Sequence, residues 1–369
     1  MRLISLDVFR GITIALMILV NMTGVADDIY PPLDHAKWNG CTPTDLVFPF
    51  FLFIIGVAMT FSLAKYTKDN KPTASVYWRI LRRAAILFAL GIFLNGFWNY
   101  DFSHIRVMGV LQRISLTYLL ASLAVLNLPR KGQWVLAAAL LIGYWLAMSF
   151  VSVPGYGAGV WTREGNLGAY IDRLIIGTAH LYKGDKFNSL GDPEGLFSTL
   201  PAIVSVLAGY FTGQWIRSQP VTSRTSLGLG LVGIGCLVLG WAWGLEFPIN
   251  KKLWTSSYVL FTTGWALLLL AACYELIEVR RVKRWAKPFE VMGLNAIALF
   301  VASVLLIKIL VKTNIGVGES APTTYNWISQ HLFAALSPMN ASLSIAILAV
   351  LFWWVVAYLM YWRSWFIKV

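Results

Sequence analysis

Ten long apolar runs recur along the chain, at 11–25, 46–64, 83–98, 107–127, 133–151, 196–216, 227–245, 257–277, 291–311 and 341–361. A hydrocarbon core about 30 Å thick asks for about twenty apolar residues per helix, with every backbone N–H and C=O bonded inside it. This pattern decides the fold class: an all-α integral membrane protein, a polytopic bundle of about ten transmembrane helices. Hydrophobic residues make up 58% of the 369 and charged ones 13%, which is more apolar surface than one soluble core can hide. The lipid bilayer is the partner expected to cover the remainder. The first run has no small-residue cleavage site and ends in Asp27, Asp28, Tyr30, Pro31 and Pro32. It reads as a retained span, not a cleaved leader.

Orientation follows from where Lys and Arg fall in the connections, because basic residues are retained on the cytoplasmic side. One side holds Arg2, Arg10, Lys65, Lys68, Lys71, Arg79, Arg82, Arg83, Arg130, Lys131, Arg217 and Arg224, followed by Arg280, Arg281, Lys283, Arg284, Lys287, Arg363 and Lys368. That side is expected to be cytoplasmic, with both termini on it. The chain is read as a single domain over 1–369, with long extracytoplasmic connections at about 26–45, 152–195 and 313–340. Most links are short, so connections of this length point to a purpose on the outer face.

The formal charge of +13 does not indicate nucleic acid, since the basic residues lie between apolar runs and form no soluble basic face. Cys41, Cys236 and Cys273 have no metal-ligand spacing, and His104, His180 and His331 form no paired motif. No metal is expected. The glycines of PGYGAGVWTREGNLG match no nucleotide-binding pattern and read as turns. The 17 tryptophans suit interfacial belts or contacts between two copies, so a homodimer is an allowed assembly.

Several polar residues stand out. His35 lies in the connection before the second run, and histidine is the side chain best suited to exchange protons near neutral pH. Asp45, ten residues on, can hold the ring or raise its basicity; its plain alternative is the N-cap of the second helix. Asn21, deep in the first run, needs a hydrogen-bond partner in hydrocarbon and can serve as a donor to a developing oxyanion. Gln112 and Arg113 enter the fourth run, where an arginine is costly without a partner or a pocket. Arg106, at the outer end of that segment, has the weaker claim. Asn95, Asn295 and Lys308 are further polar groups whose plain reading is helix packing or anchoring.

The strings LDVFRGITIALMILVN, HAKWNGCTPTDLVFPFFLFIIG, IRVMGVLQRIS, DPEGLFSTLPAIVSVLAGYFTG, FPINKKLWTSSYVLFTTG and MGLNAIALFVAS occur in this order over most of the chain. Together they resemble the membrane acyltransferases of the heparan-α-glucosaminide N-acetyltransferase type, including the bacterial NagX proteins. The resemblance implies the transmembrane acyltransferase fold and transfer of an acetyl group from cytosolic acetyl-CoA to the amine of a glucosamine unit across the membrane. It aligns the catalytic histidine with His35, through the H-A-x-W-N-G pattern, and the asparagine closing the first span with Asn21. With them, Asp45 is expected to support the histidine, and Lys37, Trp38 and Asn39 to contact the acceptor. Arg113, Gln112 and Asn295 are expected to line the path of the acyl donor, with Arg79, Arg82 and Arg83, or else the cluster from Arg280 to Lys287, at its phosphates; positive-inside topology alone also accounts for both clusters. The processing and trafficking of the family's lysosomal members, which carry extra sequence before the first span, are not expected to carry over; the expected location is a bacterial inner membrane, as an integral protein. The acceptor is expected to be an amino sugar or a glucosamine-terminated glycan.

An alternative of a different class is a transporter of amino sugars or glycan fragments in N-acetylglucosamine uptake. Transporters of this kind are commonly built from internal repeats around a midplane site, and no strong repeat is visible here. Most candidate residues also lie at the outer edge, with Arg113 and Lys308 as the exceptions.

Overall fold

The structure is a computed structural model that describes residues 3–26, 28–63, 66, 72–316 and 321–367. Arg2, Asp27, Ala64, Lys65, Lys68, Lys71 and Lys368, which enter the span and orientation arguments, lie outside the described residues. Among the described residues there are thirteen α-helices and no strand. The first seven are α1 (Ile4–Thr23), α2 (Val47–Ser62), α3 (Ala74–Gly96), α4 (Val110–Asn127), α5 (Arg130–Phe150), α6 (Leu167–Ile175) and α7 (Thr199–Ser218). The remainder are α8 (Ser223–Trp243), α9 (Ser256–Tyr274), α10 (Lys287–Leu294), α11 (Ala296–Lys312), α12 (Thr324–Leu332) and α13 (Pro338–Trp362).

Each of the ten apolar runs overlaps a helix, so the chain is a polytopic helical membrane protein. Among the described residues, seven helices are long and apolar enough to cross a bilayer: α1, α2 with the turn before it, α4, α5, α8, α9 with its π-helical extension Glu275–Val279, and α13. The runs 83–98 and 196–216 form α3 and α7. These stand outside that set because Arg79, Arg82 and Arg83 on α3, and Gln214 and Arg217 on α7, dilute their apolar character. Two runs depart from expectation. Helix α1 starts at Ile4, ahead of the predicted residue 11, and carries Asp7 and Arg10, which pair at 3.3 Å one turn apart. The run 291–311, predicted to be continuous, is broken between α10 and α11 with a bend of 81°. Asn295 sits at the break, and its amide ties that point to the chain after α13: Nδ2 donates to the Trp365 carbonyl and Oδ1 accepts from the Ile367 N–H, both at 2.9 Å.

The contacts divide the chain into two units. One comprises Lys37–Gly40 and Phe48–Glu275, the other Arg2–Ala36, Cys41–Val47 and Leu276–Val369. In the first unit, α2 and α7 approach closely enough that a Cβ on Gly56 would collide with the Val206 carbonyl and one on Gly209 with that of Phe53. Small residues permit such contact where lipid gives helices no hydrophobic reason to associate. Hydroxyls add polar ties between helices: Thr60 donates to Tyr210 O at 3.0 Å, Ser115 to Ala84 O at 2.7 Å and Ser256 to Leu141 O at 2.7 Å. In the second unit, Gly11 of α1 and Gly293 of α10 play the same role, against the Phe289 and Asp7 carbonyls.

The connection between α5 and α7 is structured, not merely long. Its helix α6 is capped by Asn166, whose side chain accepts the Ala169 N–H at 2.8 Å. Beneath it Tyr144, Met148, Val153, Leu167, Phe247 and Leu253 form an apolar core, with Trp38, Trp161 and Phe197 packed against it. The connection between α11 and α13 likewise contains a helix, α12, started by Thr323 accepting the Asn326 N–H at 3.2 Å.

Candidate active site

In the second unit, the segment after α1 turns through Pro31–Leu33 and re-enters helix at Pro43–Leu46. Thr42 takes the position before that turn and Asp45 is its reciprocal partner three residues on. Asp45 therefore does not cap the helix from the N-cap position, the plain alternative its sequence offered. It completes a capping box, with Oδ2 accepting the Thr42 N–H at 3.0 Å and the Ala36 N–H at 3.1 Å. The other carboxylate oxygen lies 2.7 Å from His35 Nδ1. The Asp45 side chain is only 1% exposed, whereas that of His35 is 43% exposed. An ionised carboxylate has no proton to give, so Nδ1–H is the donor in this contact. In the neutral ring the lone pair is then on Nε2, directed away from the carboxylate. A buried, doubly anchored carboxylate holding an accessible imidazole is the arrangement a general base requires.

Asn21 also belongs to the second unit. It is half-buried in the last turn of α1, nearer the helix end than the position deep in a span that its sequence suggested, because the helix stops at Thr23. The Met22 carbonyl beside it lies 3.4 Å from the Tyr325 hydroxyl of α12, which donates to it.

Lys37, Trp38 and Asn39 belong to the first unit. The Trp38 indole N–H donates to Trp161 O at 2.9 Å, and the Arg163 guanidinium lies 4.6 Å from the centre of its ring. Arg163 Nη2 also donates to Lys37 O at 2.6 Å, and Asn39 Oδ1 accepts from the buried Asn250 at 3.1 Å. Trp38 and Asn39 thus have structural work to do, while the Lys37 side chain is exposed.

The first unit also contains an ion cluster that the sequence only hinted at. Arg106 donates to both oxygens of the buried Asp192, from Nε at 2.8 Å and Nη2 at 2.5 Å, and to Glu194. Its guanidinium lies 4.3 Å from the centre of the Tyr182 ring. Burial and the hydrogen-bonded Arg106 oppose each other at Asp192, with burial holding its carboxyl above the usual range. At Glu194 the charges of Arg106 and Arg113 outweigh burial and hold it below. Asp172, on α6, accepts the Leu196 N–H at 2.8 Å. Burial, reinforced by the Asp192 charge, pushes its carboxyl up to about 7.

Arg113 lies in the first turn of α4 and is fully buried. Its Nη2 donates to Gly195 O at 3.0 Å and to the Ser198 hydroxyl, and the Trp254 ring centre lies 5.0 Å from the guanidinium. The neighbouring Gln112 lies against Gly91 of α3. The two side chains therefore meet different neighbours of α4. Asn295 is in the second unit, its amide engaged by the chain after α13. Arg79 and Arg82 are exposed on α3, and Arg83 lies 4.9 Å from the Tyr118 ring centre. Asp172, Asp192, Glu194 and Ser198 were not singled out by sequence. The signal available was the acidic pair of DPEG directly before an apolar run, since carboxylates at a membrane edge need cations, and Arg106 and Arg113 were the cations at hand.

The chain matches the family model described as heparan-alpha-glucosaminide N-acetyltransferase, catalytic, over residues 2–232. It is 29% identical over 355 residues to the heparan-alpha-glucosaminide N-acetyltransferase of Homo sapiens, covering 81% of this chain and 52% of that protein. To the protein of the same name from Mus musculus it is 27% identical over 358 residues, covering 83% and 54%. The chain thus spans about half the length of the curated relatives it matches. The matched region includes Asn21, the His35–Asp45 pair and the Arg106–Arg113 cluster, and it extends over more than half of the chain. On these grounds the chain belongs to the heparan-α-glucosaminide N-acetyltransferase family.

Proposed function

We propose that this protein transfers an acetyl group from acetyl-CoA to the amine of a glucosamine-containing sugar, with donor and acceptor reaching the site from opposite sides of the membrane. The observation that carries the reading is the 2.7 Å contact between His35 Nδ1 and the buried Asp45 carboxylate. An amine is nucleophilic only without its extra proton, and His35 Nε2 is the group that removes it. The amine nitrogen bonds to the thioester carbonyl carbon, the carbon–sulfur bond breaks, and the thiolate leaves to be protonated. Asn21 donates its amide N–H to the carbonyl oxygen as negative charge grows there. Asp45 keeps the imidazole in the tautomer that leaves Nε2 basic, and stabilises the imidazolium that forms. Lys37, exposed and two residues after His35 in the sequence, is assigned to an acceptor hydroxyl. The basic-residue asymmetry supports a cytoplasmic donor, and Arg79, Arg82 and Arg83 supply charge for its phosphates.

The test is incubation of the purified protein with radiolabelled acetyl-CoA and a panel of glucosamine-terminated acceptors, beside His35→Ala. Wild type should yield N-acetylated product, and the variant should bind acetyl-CoA normally yet transfer none. Transfer by the variant at the wild-type rate would remove His35 from the mechanism and reopen the transport reading.

A further inference from the structure

The Arg113 guanidinium combines two properties that rarely occur together. It is fully buried, and its Nε and Nη1 groups have no hydrogen-bond partner among the described residues. Buried polar groups are nearly always paired, because an orphaned donor retains its full desolvation penalty, so each exception calls for an explanation. The two nearby carboxylates do not supply one, since Asp192 and Glu194 are both bonded to Arg106.

A small cavity lies one side chain away from Arg113. Ser198, which accepts from Arg113 Nη2, also lines that cavity with Tyr144, Asp172, Asp192, Lys252 and Leu253. The charges around it select the kind of group that fits. Arg106 and Arg113 are already balanced by Asp192 and Glu194, and Lys252 pairs with Asp185 at 3.0 Å. A phosphate or carboxylate entering the cluster would face two buried anions whose cations are committed. A neutral oxygen would satisfy the orphaned N–H groups and leave the charge balance undisturbed.

We infer that the Nε and Nη1 face of Arg113 is a binding subsite for a neutral oxygen acceptor brought by a substrate, not for a phosphate. Two substrates of the proposed acetyl transfer, on which this assignment rests, carry such oxygens: the amide and thioester carbonyls of the acyl-pantetheine arm, and the hydroxyls of the amino sugar. The position suits this role. Arg113 opens α4 at the end where Asn95 of α3 donates to Met108 O at 3.0 Å, whereas Tyr77 and Asn127 meet at 2.9 Å at the other end of the α3–α4 pair, toward Arg79 and Arg82.

The experiment measures equilibrium binding of acetyl-CoA, adenosine 3′,5′-bisphosphate and glucosamine to purified wild type, Arg113→Lys and Arg113→Gln. Lysine keeps the charge and glutamine keeps an N–H donor, so either variant suffices, and adenosine 3′,5′-bisphosphate affinity together with thermal melting reports its fold. The expected result is adenosine 3′,5′-bisphosphate binding unchanged while acetyl-CoA or glucosamine affinity falls roughly 10- to 100-fold. Whichever of the two falls identifies the source of the oxygen. A parallel fall for adenosine 3′,5′-bisphosphate and acetyl-CoA would make Arg113 a phosphate ligand and overturn the assignment. So would unchanged affinity for all three, which would leave solvent as the partner of the orphaned groups. Wild type that binds neither acetyl-CoA nor glucosamine would instead defeat the acetyltransferase reading itself, and this subsite with it.

Discussion

Asp45→Asn is the sharpest probe of the proposed base, because the geometry dictates how the new amide must sit. Oδ2 receives two backbone N–H groups, from Thr42 at 3.0 Å and Ala36 at 3.1 Å. An NH2 placed there would point its hydrogens at theirs, so the asparagine oxygen must take that side. Its NH2 then faces His35 Nδ1, which lay 2.7 Å from the carboxylate. Nδ1 must now accept, the ring proton moves to Nε2, and the nitrogen meant to act as base has no lone pair to offer. The same exchange of aspartate for asparagine in a serine-protease triad lowers turnover about 10⁴-fold. His35 is more open to water than a triad histidine, so a loss of roughly 10²- to 10⁴-fold is expected, or about 3 to 5 kcal/mol of transition-state stabilisation. The fold should lose only the difference between charge-assisted and neutral hydrogen bonds, about 1 kcal/mol for each. Asp45→Ala should behave oppositely. It frees the ring to choose its tautomer but leaves the Ala36 and Thr42 N–H groups without their acceptor, at about 1 to 3 kcal/mol each. Single-turnover transfer of labelled acetyl to glucosamine, normalised to acetyl-CoA-binding protein, should therefore rank wild type above Asp45→Ala and Asp45→Ala above Asp45→Asn. Turnover of Asp45→Asn within threefold of wild type would refute the tautomer argument.

Two further outcomes concern the ion cluster. Arg106→Ala leaves Asp192 and Glu194 buried without their main cation, and breaking a buried pair in this way is expected to destabilise by about 3 to 5 kcal/mol; a melting temperature in detergent equal to wild type would show that solvent reaches the pair. Asp172→Asn should remove a pH dependence of stability. Because the folded carboxyl is raised from 3.8 to about 7, the folded state holds its proton more tightly than the unfolded chain, so wild-type stability should decline as pH rises between those values. Asparagine retains an oxygen for the Leu196 N–H, so this variant should melt near wild type at pH 4 and above it at pH 8, and equal melting at pH 8 would contradict the burial argument.

The helical spans were legible because their cause is local: within a bilayer each segment must satisfy its own backbone and present apolar side chains to lipid, and both demands are written in consecutive residues. The break at Asn295 was not, since the backbone groups its amide engages lie seventy residues away, at Trp365 and Ile367. The site divides in the same way. His35 was legible through its motif, and its spacing from Asp45 suggested a pair; that Asp45 completes a capping box while holding the ring depended on how the intervening turn closes. The ion cluster was less visible, because Arg106 and Asp192 are 86 residues apart and nothing in the sequence matches one to the other.

By itself, then, the sequence determined that this chain is a polytopic helical membrane protein of an acyltransferase family with a histidine beside its second span, because hydropathy and contiguous motifs are properties of neighbouring residues. Only the tertiary structure decided which polar groups share an environment. It put Gln112 against α3 and Arg113, its neighbour in the chain, against the segment that leads into α7, because successive helical residues point about 100° apart. It also brought Asp172, Asp192 and Glu194 into the field of two arginines, because burial in a low dielectric lets charge persist only where folding supplies a counter-charge.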